Sequence, residues 1–212
     1  MTDHLVIFAK SPRLGVAKRR LGRQIGMVPA WRFYRDALTS LLVRLGHDPR
    51  WRTWVYMTPD RDAELPIWPG RCRGTRVVAQ GVGDLGERMS RPFRTLPPGR
   101  VVLIGSDIPE IRARHVAAAF RLLGFRDLVF GPASDGGFWL IGGRGRLRLP
   151  PGLFAGVRWS TPTLLRDTLA NVPSRYSTGI TETLDDIDTA EALLGWRRRC
   201  GGIRPGRSST KI

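Results

Sequence analysis

Six short runs rich in β-branched and aromatic residues recur along the chain: HLVIFA (4–9), RTWVYM (52–57), TRVVA (75–79), RVVLIGSD (100–107), DLVFG (127–131) and FWLIG (138–142). Between and after most of them lie segments with apolar residues at helical spacing. The clearest are AWRFYRDALTSLLVRLG (30–46), GERMSRPFRTL (86–96), ARHVAAAFRLLG (113–124), TPTLLRDTLA (161–170) and DTAEALLGWRRR (188–199). A period near two that keeps switching to a period near 3.6 specifies strands alternating with helices. Such alternation folds as an α/β domain with a mainly parallel sheet. The uninterrupted Val101–Ile104 run suits a strand covered on both faces.

At 212 residues the chain is long enough for one domain with a sizeable core. It contains no apolar run of membrane-spanning length, and MTDHLVIFAK lacks the pattern of a secretory leader. Cys72 and Cys200 are too few for a disulfide framework or a zinc cluster. A cytoplasmic protein is expected. The net charge is +17, and arginine outnumbers lysine so heavily that Lys10, Lys18 and Lys211 are the only lysines. Residues 197–212 hold six cations and no acid, leaving 17 − 6 = 11 positive charges for residues 1–196. Two parts are therefore expected: a single domain over 1–196 and a basic tail over 197–212 whose composition predicts disorder. A basic body favours anionic ligands.

Ligands of open α/β sheets bind beyond the carboxyl ends of the strands, so the segments following the runs matter most. AKSPRLGVAKRRLG follows the first. It sets Lys10, Arg13, Lys18, Arg19 and Arg20 around Pro12 and Gly15. Loop amides, a helix N-terminus and cations together can hold a diphosphate or triphosphate. It lacks the GK[ST] ending of a Walker A loop. GVGDLG (81–86) matches G-x-G-x-x-G, with Asp107 21 residues beyond Gly86. A dinucleotide reading is disfavoured, because Asp84 would aim negative charge at the pyrophosphate and the cationic first loop would have no role. Asp107 follows the fourth run. Further on, LDDIDT places Asp186 and Asp188 on one face of an extended segment. Three such carboxylates make an oxygen site for Mg²⁺ or Mn²⁺. For Asp188 an equal alternative is an N-cap for the following helix. The histidines lack metal-ligand spacing, and no G-x-S-x-G nucleophile elbow is present. Trp31, Trp139, Trp159 and Trp196 read as core or pocket walls.

FAKSPRLGVAKRRLG, QGVGDLGERM, VVLIGSDIP, GPASDGGFWLIG, LFAGVRWSTPTLL and LDDIDTAEAL occur in this order. Together they resemble the DUF2064 family, a glycosyltransferase A-like group also labelled selenodomain-associated transferase 1, within the nucleotide-diphospho-sugar transferases. The resemblance runs from about Leu5 to Leu194. It implies a GT-A-type, Rossmann-like three-layer sandwich. It also implies a nucleotide site lined by Lys10, Gly15, Lys18 and Arg20, with Gly81 and Asp84 from the second glycine-rich loop. Asp107 and Asp135 would be catalytic, and Asp107, Asp186 and Asp188 would hold Mg²⁺ or Mn²⁺. Gly136 and Gly137 would let the backbone approach an acceptor or sugar beside Trp159. Arg19 stands where the family has threonine, and Ala190 and Ala192 replace its usual proline and acid. The expected activity is transfer from a nucleotide-activated sugar donor. Transfer of a nucleoside monophosphate from a nucleoside triphosphate is the alternative. Non-catalytic nucleotide or RNA binding ranks third, since the chain offers no basic stripe interleaved with aromatics. Nucleic-acid contact is expected only non-specifically, through the basic tail.

Overall fold

The structure, a computed structural model, describes residues 2–65, 75–144 and 149–200. Cys72 and residues 201–212 of the expected tail lie outside the described residues. Among those described, seven strands form one sheet: β1 (Asp3–Lys10), β2 (Trp51–Thr58), β3 (Arg76–Ala79), β4 (Val101–Gly105), β5 (Leu128–Pro132), β6 (Phe138–Gly143) and β7 (Thr178–Ile180). Their order is β3-β2-β1-β4-β6-β5-β7. All neighbours pair parallel except β6, which runs antiparallel to both β4 and β5. The expected mainly parallel sheet is present. The antiparallel strand arises because only the short 133–137 loop joins β5 to β6, and a parallel return needs a crossover of a dozen or more residues.

The helices are α1 (Arg19–Ile25), α2 (Met27–Leu45), α3 (Leu85–Thr95), α4 (Ala113–Leu122), α5 (Leu164–Ala170) and α6 (Ala190–Cys200). The period-two alternation of β1 shows how the layers separate. Leu5, Ile7 and Ala9 join a core with Leu38, Leu41 and Leu42 of α2 and Val116 and Ala119 of α4. Val6 faces the opposite core, with Met89 and Phe93 of α3. β4 repeats the pattern, sending Val102 and Ile104 to the first core and Val101 and Leu103 to the second. Apolar side chains on both faces of each central strand require helices on both faces of the sheet. The result is the expected three-layer sandwich.

Two features correct the sequence reading. Helix α6 continues through Arg197–Arg199 to Cys200, and Arg199 donates to Glu110 at 3.2 Å. The boundary expected after Trp196 therefore cuts a helix. Its last-turn arginines suit a helix C-terminus, where exposed carbonyls carry partial negative charge. The short β7 has no counterpart among the predicted strands.

Candidate active site

From β1 the chain builds outward to β2 and β3 on one side, then returns to place β4 on the other. The loops leaving β1 and β4 therefore diverge and open a crevice at their carboxyl ends. A cleft of about 640 Å³ lies there, and its lining includes Lys10, Lys18, Arg19, Arg20, Arg88, Asp107, Asp135, Asp186 and Asp188.

Asp107 enters from the turn after β4. The preceding Ser106 is buried, and its hydroxyl lies 3.0 Å from that of Tyr34 on α2. The Tyr34 hydroxyl also contacts the Lys10 backbone, donating to its carbonyl at 2.8 Å or accepting from its N–H at 2.9 Å. Burial pushes the Tyr34 hydroxyl pKa up, so the group stays protonated and pins the ends of β1 and β4 together. Asp186 and Asp188 arrive on the extended segment before α6. The flanking and intervening residues follow the alternation: Asp185 accepts the Ser134 N–H at 3.0 Å, and Ile187 is buried in an apolar cluster with Leu21 and Leu193. The capping alternative for Asp188 does not hold, because the Thr189 hydroxyl takes the Ala192 N–H at 3.2 Å.

Asp107, Asp186 and Asp188 each offer an oxygen, and these atoms lie within 4.8 Å of one another. Burial, reinforced by the Asp107 and Asp188 carboxylates, pushes the Asp186 pKa up to about 6. Crowded carboxylates of this kind are stabilised by a cation. Hard oxygen donors from three residues match Mg²⁺ or Mn²⁺, so the residues present fit the expected metal. Lys18 reaches two of the same carboxylates. Its ammonium lies 2.6 Å from Asp188 Oδ1 and 3.2 Å from Asp107 Oδ2. Burial alone would depress the Lys18 pKa, but Asp107 and Asp188 outweigh it and hold the ammonium above the usual lysine range.

The other expected site residues divide. Lys10, Arg20, Asp135, Gly137 and Trp159 line the cleft with the triad. Lys18 lines it too, but as the carboxylates' partner. Asp135 Oδ1 accepts the Gly137 N–H at 2.9 Å. Gly15 adopts a left-handed φ of +83° in the open first loop and does not line the cleft. Gly136 also stays out of the lining. A Cβ there would run into the Pro162 carbonyl, so the glycine serves a close approach within the chain. Its carbonyl accepts the Leu165 N–H at 2.9 Å, fastening this loop to the segment that carries Trp159.

Gly81 and Asp84 also stay out of the lining and have partners within the chain. The Gly81 N–H donates to Asp60 at 3.1 Å. Asp84 is the N-cap of α3, accepting from the Glu87 N–H at 2.8 Å while the Glu87 side chain accepts from the Asp84 N–H at 3.1 Å. This reciprocal capping box satisfies two amides at the helix start and accounts for an acid in the glycine loop. The same loop contributes two cleft residues not anticipated individually. Gln80 is buried and binds the Ala9 and Tyr56 carbonyls. Arg88, one turn into α3, donates to the Gln80 side-chain oxygen at 3.0 Å. Both sit inside QGVGDLGERM.

A crevice at the reversal of strand order, lined by acids and cations together, suits a Rossmann-like domain of the nucleotide-diphospho-sugar transferase kind. The chain belongs to the family described as "Uncharacterized protein conserved in bacteria (DUF2064)", whose model matches residues 41–161. It is similar to the crystal structure of a candidate nucleotide-diphospho-sugar transferase from Desulfovibrio desulfuricans G20. The TM-score is 0.85 and the identity 30%, over 99% of this chain and 90% of that one. The fold is shared with 4-diphosphocytidyl-2C-methyl-D-erythritol synthase from Anaerococcus prevotii DSM 20548 at a TM-score of 0.64 and 11% identity, over 94% and 98% of the two chains. It is shared also with CMP:2-keto-3-deoxy-manno-octonic acid synthetase, solved with CTP, at a TM-score of 0.60 and 11% identity, over 95% and 99%. Among curated proteins, none matches the chain in sequence. Among the described residues, no helix is long and apolar enough to cross a membrane.

Proposed function

We propose that the protein is a divalent-metal-dependent transferase acting on a nucleotide-activated sugar donor. The observation that carries this reading is the convergence of Asp107, Asp186 and Asp188 in the same cleft as Lys10, Arg19 and Arg20. Acids alone would repel a diphosphate, and cations alone would not call for a metal. In this reading Asp107, Asp186 and Asp188 hold Mg²⁺ or Mn²⁺, which when bound supplies charge stabilisation for a leaving diphosphate. Lys10 and Arg20 neutralise the outer phosphate oxygens, which favours departure of the nucleoside diphosphate. Asp135, oriented through its Oδ1 by the Gly137 N–H, takes the proton from an acceptor hydroxyl as its oxygen bonds to the sugar and the sugar–phosphate bond breaks. Trp159, packed against Phe154 at 5.7 Å between ring centroids, forms an apolar wall for sugar or acceptor.

A second reading, nucleotidyl transfer from a nucleoside triphosphate with release of pyrophosphate, is favoured by charge. Lys10, Lys18, Arg19, Arg20 and Arg88 make five cations against four acids, Asp107, Asp135, Asp186 and Asp188, in the cleft lining. With a divalent ion added, the cleft would match a triphosphate better than a diphosphate.

The test is a thermal-shift panel of nucleotide sugars and nucleoside triphosphates with and without Mn²⁺, followed by analysis of the released product. A ligand at 100 times its Kd stabilises by about 2.7 kcal/mol. Nucleoside diphosphate release supports sugar transfer, and pyrophosphate release supports the second reading. Metal-independent stabilisation by RNA, with no turnover, would move the protein to the binding class.

A further inference from the structure

Lys18 adopts φ 52° and ψ 40°, the left-handed conformation, at the N-cap of α1. Side chains other than glycine, asparagine and aspartate rarely sit there. The unfavourable backbone delivers a long cationic side chain, 3% exposed, to Asp107 and Asp188. Its ammonium is bonded to Asp188 Oδ1 at 2.6 Å and Asp107 Oδ2 at 3.2 Å, two of the carboxylates gathered within 4.8 Å.

A divalent ion held by these carboxylates would stand close to the ammonium. Two cations drawn to the same pair of carboxylates repel each other strongly in a partly buried site. A three-carboxylate cluster without any cation would be equally unfavourable. We infer that Lys18 is the resident counter-cation of the triad, a built-in competitor that holds the carboxylates together until a divalent ion displaces its ammonium into the cleft. The inference rests on the metal-site reading and adds a regulation to it. The displaced ammonium becomes available to a donor phosphate. Metal and donor then favour each other's binding through one side chain, and the coupling is reciprocal. Premature metal binding is discouraged, because without a phosphate the ammonium has no better partner than the acids.

The experiment measures Mn²⁺ alone, by electron paramagnetic resonance titration of the chelator-washed full chain. It compares the wild type, Lys18→Met, Lys18→Gly and Asp188→Asn, with circular dichroism and melting to confirm folding. Glycine fits the left-handed backbone without strain. Both Lys18 variants should bind Mn²⁺ about tenfold more tightly than the wild type, within the usual span of coupling effects, and Asp188→Asn should bind it more weakly. Equal or weaker binding by folded Lys18 variants would overturn the inference while leaving the metal site intact. If no protein in the set bound Mn²⁺, the metal reading would fall and the inference with it. The wild type provides a check that needs no variant. Amine-reagent labelling of Lys18, read by mass spectrometry against exposed Lys10, should accelerate when Mn²⁺ is added. Unchanged relative labelling at saturating Mn²⁺ would show that the ammonium stays where it is.

Discussion

The two glycines at positions 15 and 136 have nearly the same φ and different surroundings, so alanine at each separates two costs. Gly15 has φ +83°, with nothing within 4 Å of the point an alanine methyl would occupy. Gly136 has φ +84°, and its Cβ would meet the Pro162 backbone, with Pro162 Cα at 2.7 Å and the carbonyl nearer still. Gly15→Ala is expected to cost only the left-handed conformation, about 1–2 kcal/mol. Gly136→Ala carries the same cost and must also displace a backbone that no rotamer change can move, adding about 1–3 kcal/mol. For a domain of this size 1 kcal/mol lowers Tm by about 2–4 °C. Gly136→Ala should therefore melt well below Gly15→Ala, with the difference at least ~2 °C. The assay is thermal and urea unfolding of both variants beside the wild type. Displacement should also loosen the Gly136–Leu165 hydrogen bond and so disturb the loop that presents Asp135. Equal losses at the two positions would refute the close-approach argument. A Gly136→Ala protein of wild-type stability but impaired ligand binding would restore the reading in which that glycine faces a ligand.

Asp107→Asn should abolish Mn²⁺ binding by calorimetry while leaving the melting temperature within a few degrees of wild type, since the side chain is partly exposed rather than core; retained metal affinity would make Asp107 structural. Arg20→Ala should weaken a nucleoside triphosphate more than the bare nucleoside, by about 1.5–3 kcal/mol for a charged hydrogen bond, and equal losses would move the first loop away from the phosphates. His115 is buried, faces Glu182, Arg112, Arg114, Glu110 and Trp139, and burial lowers its pKa below 6.5. The unfolded chain therefore binds the proton first on acidification, and stability present above pH 6.5 is lost as pH falls from there through the lower folded-state pKa. His115→Asn should make the stability–pH curve between pH 7 and 5 shallower by at most ~1.4 kcal/mol per pH unit, and an unchanged slope would acquit the histidine. Removing residues 201–212 should leave Tm unchanged, whereas removing 197–212 takes away the Arg199–Glu110 pair and the last-turn cations, and should lower it by about 2–4 °C.

The sheet was legible because each central strand is covered on both faces. Burial on both faces demands continuous apolar runs such as Val101–Ile104, and little else in a sequence looks like that. β7 escaped notice for the opposite reason. It is three residues long, with Thr178 and Ile180 exposed and only Gly179 buried, so it leaves no pattern. Asp84 has a local role that the sequence carries: aspartate three residues before Glu87 at a helix start is itself the signature of a capping box. The glycines around it drew attention toward phosphate instead.

Lys18 shows where sequence reading reaches its limit. Its charge and its place between a strand and a helix pointed outward, toward a phosphate. What directs it inward is tertiary: α1 begins at Arg19, while Asp107 and Asp188 come from 89 and 170 residues away. A lone buried lysine would lose its proton, and three lone carboxylates would resist ionising together. Each arrangement is tolerable only because of the other, and neither partner is marked in its local sequence. Phosphate grip for the lysine and metal ligation for the acids, both expected from the sequence, would draw on that one charge balance. That balance gives the left-handed backbone at Lys18 a physical reason, since no right-handed start to α1 is needed when the ion pairs formed across the crevice offset its cost.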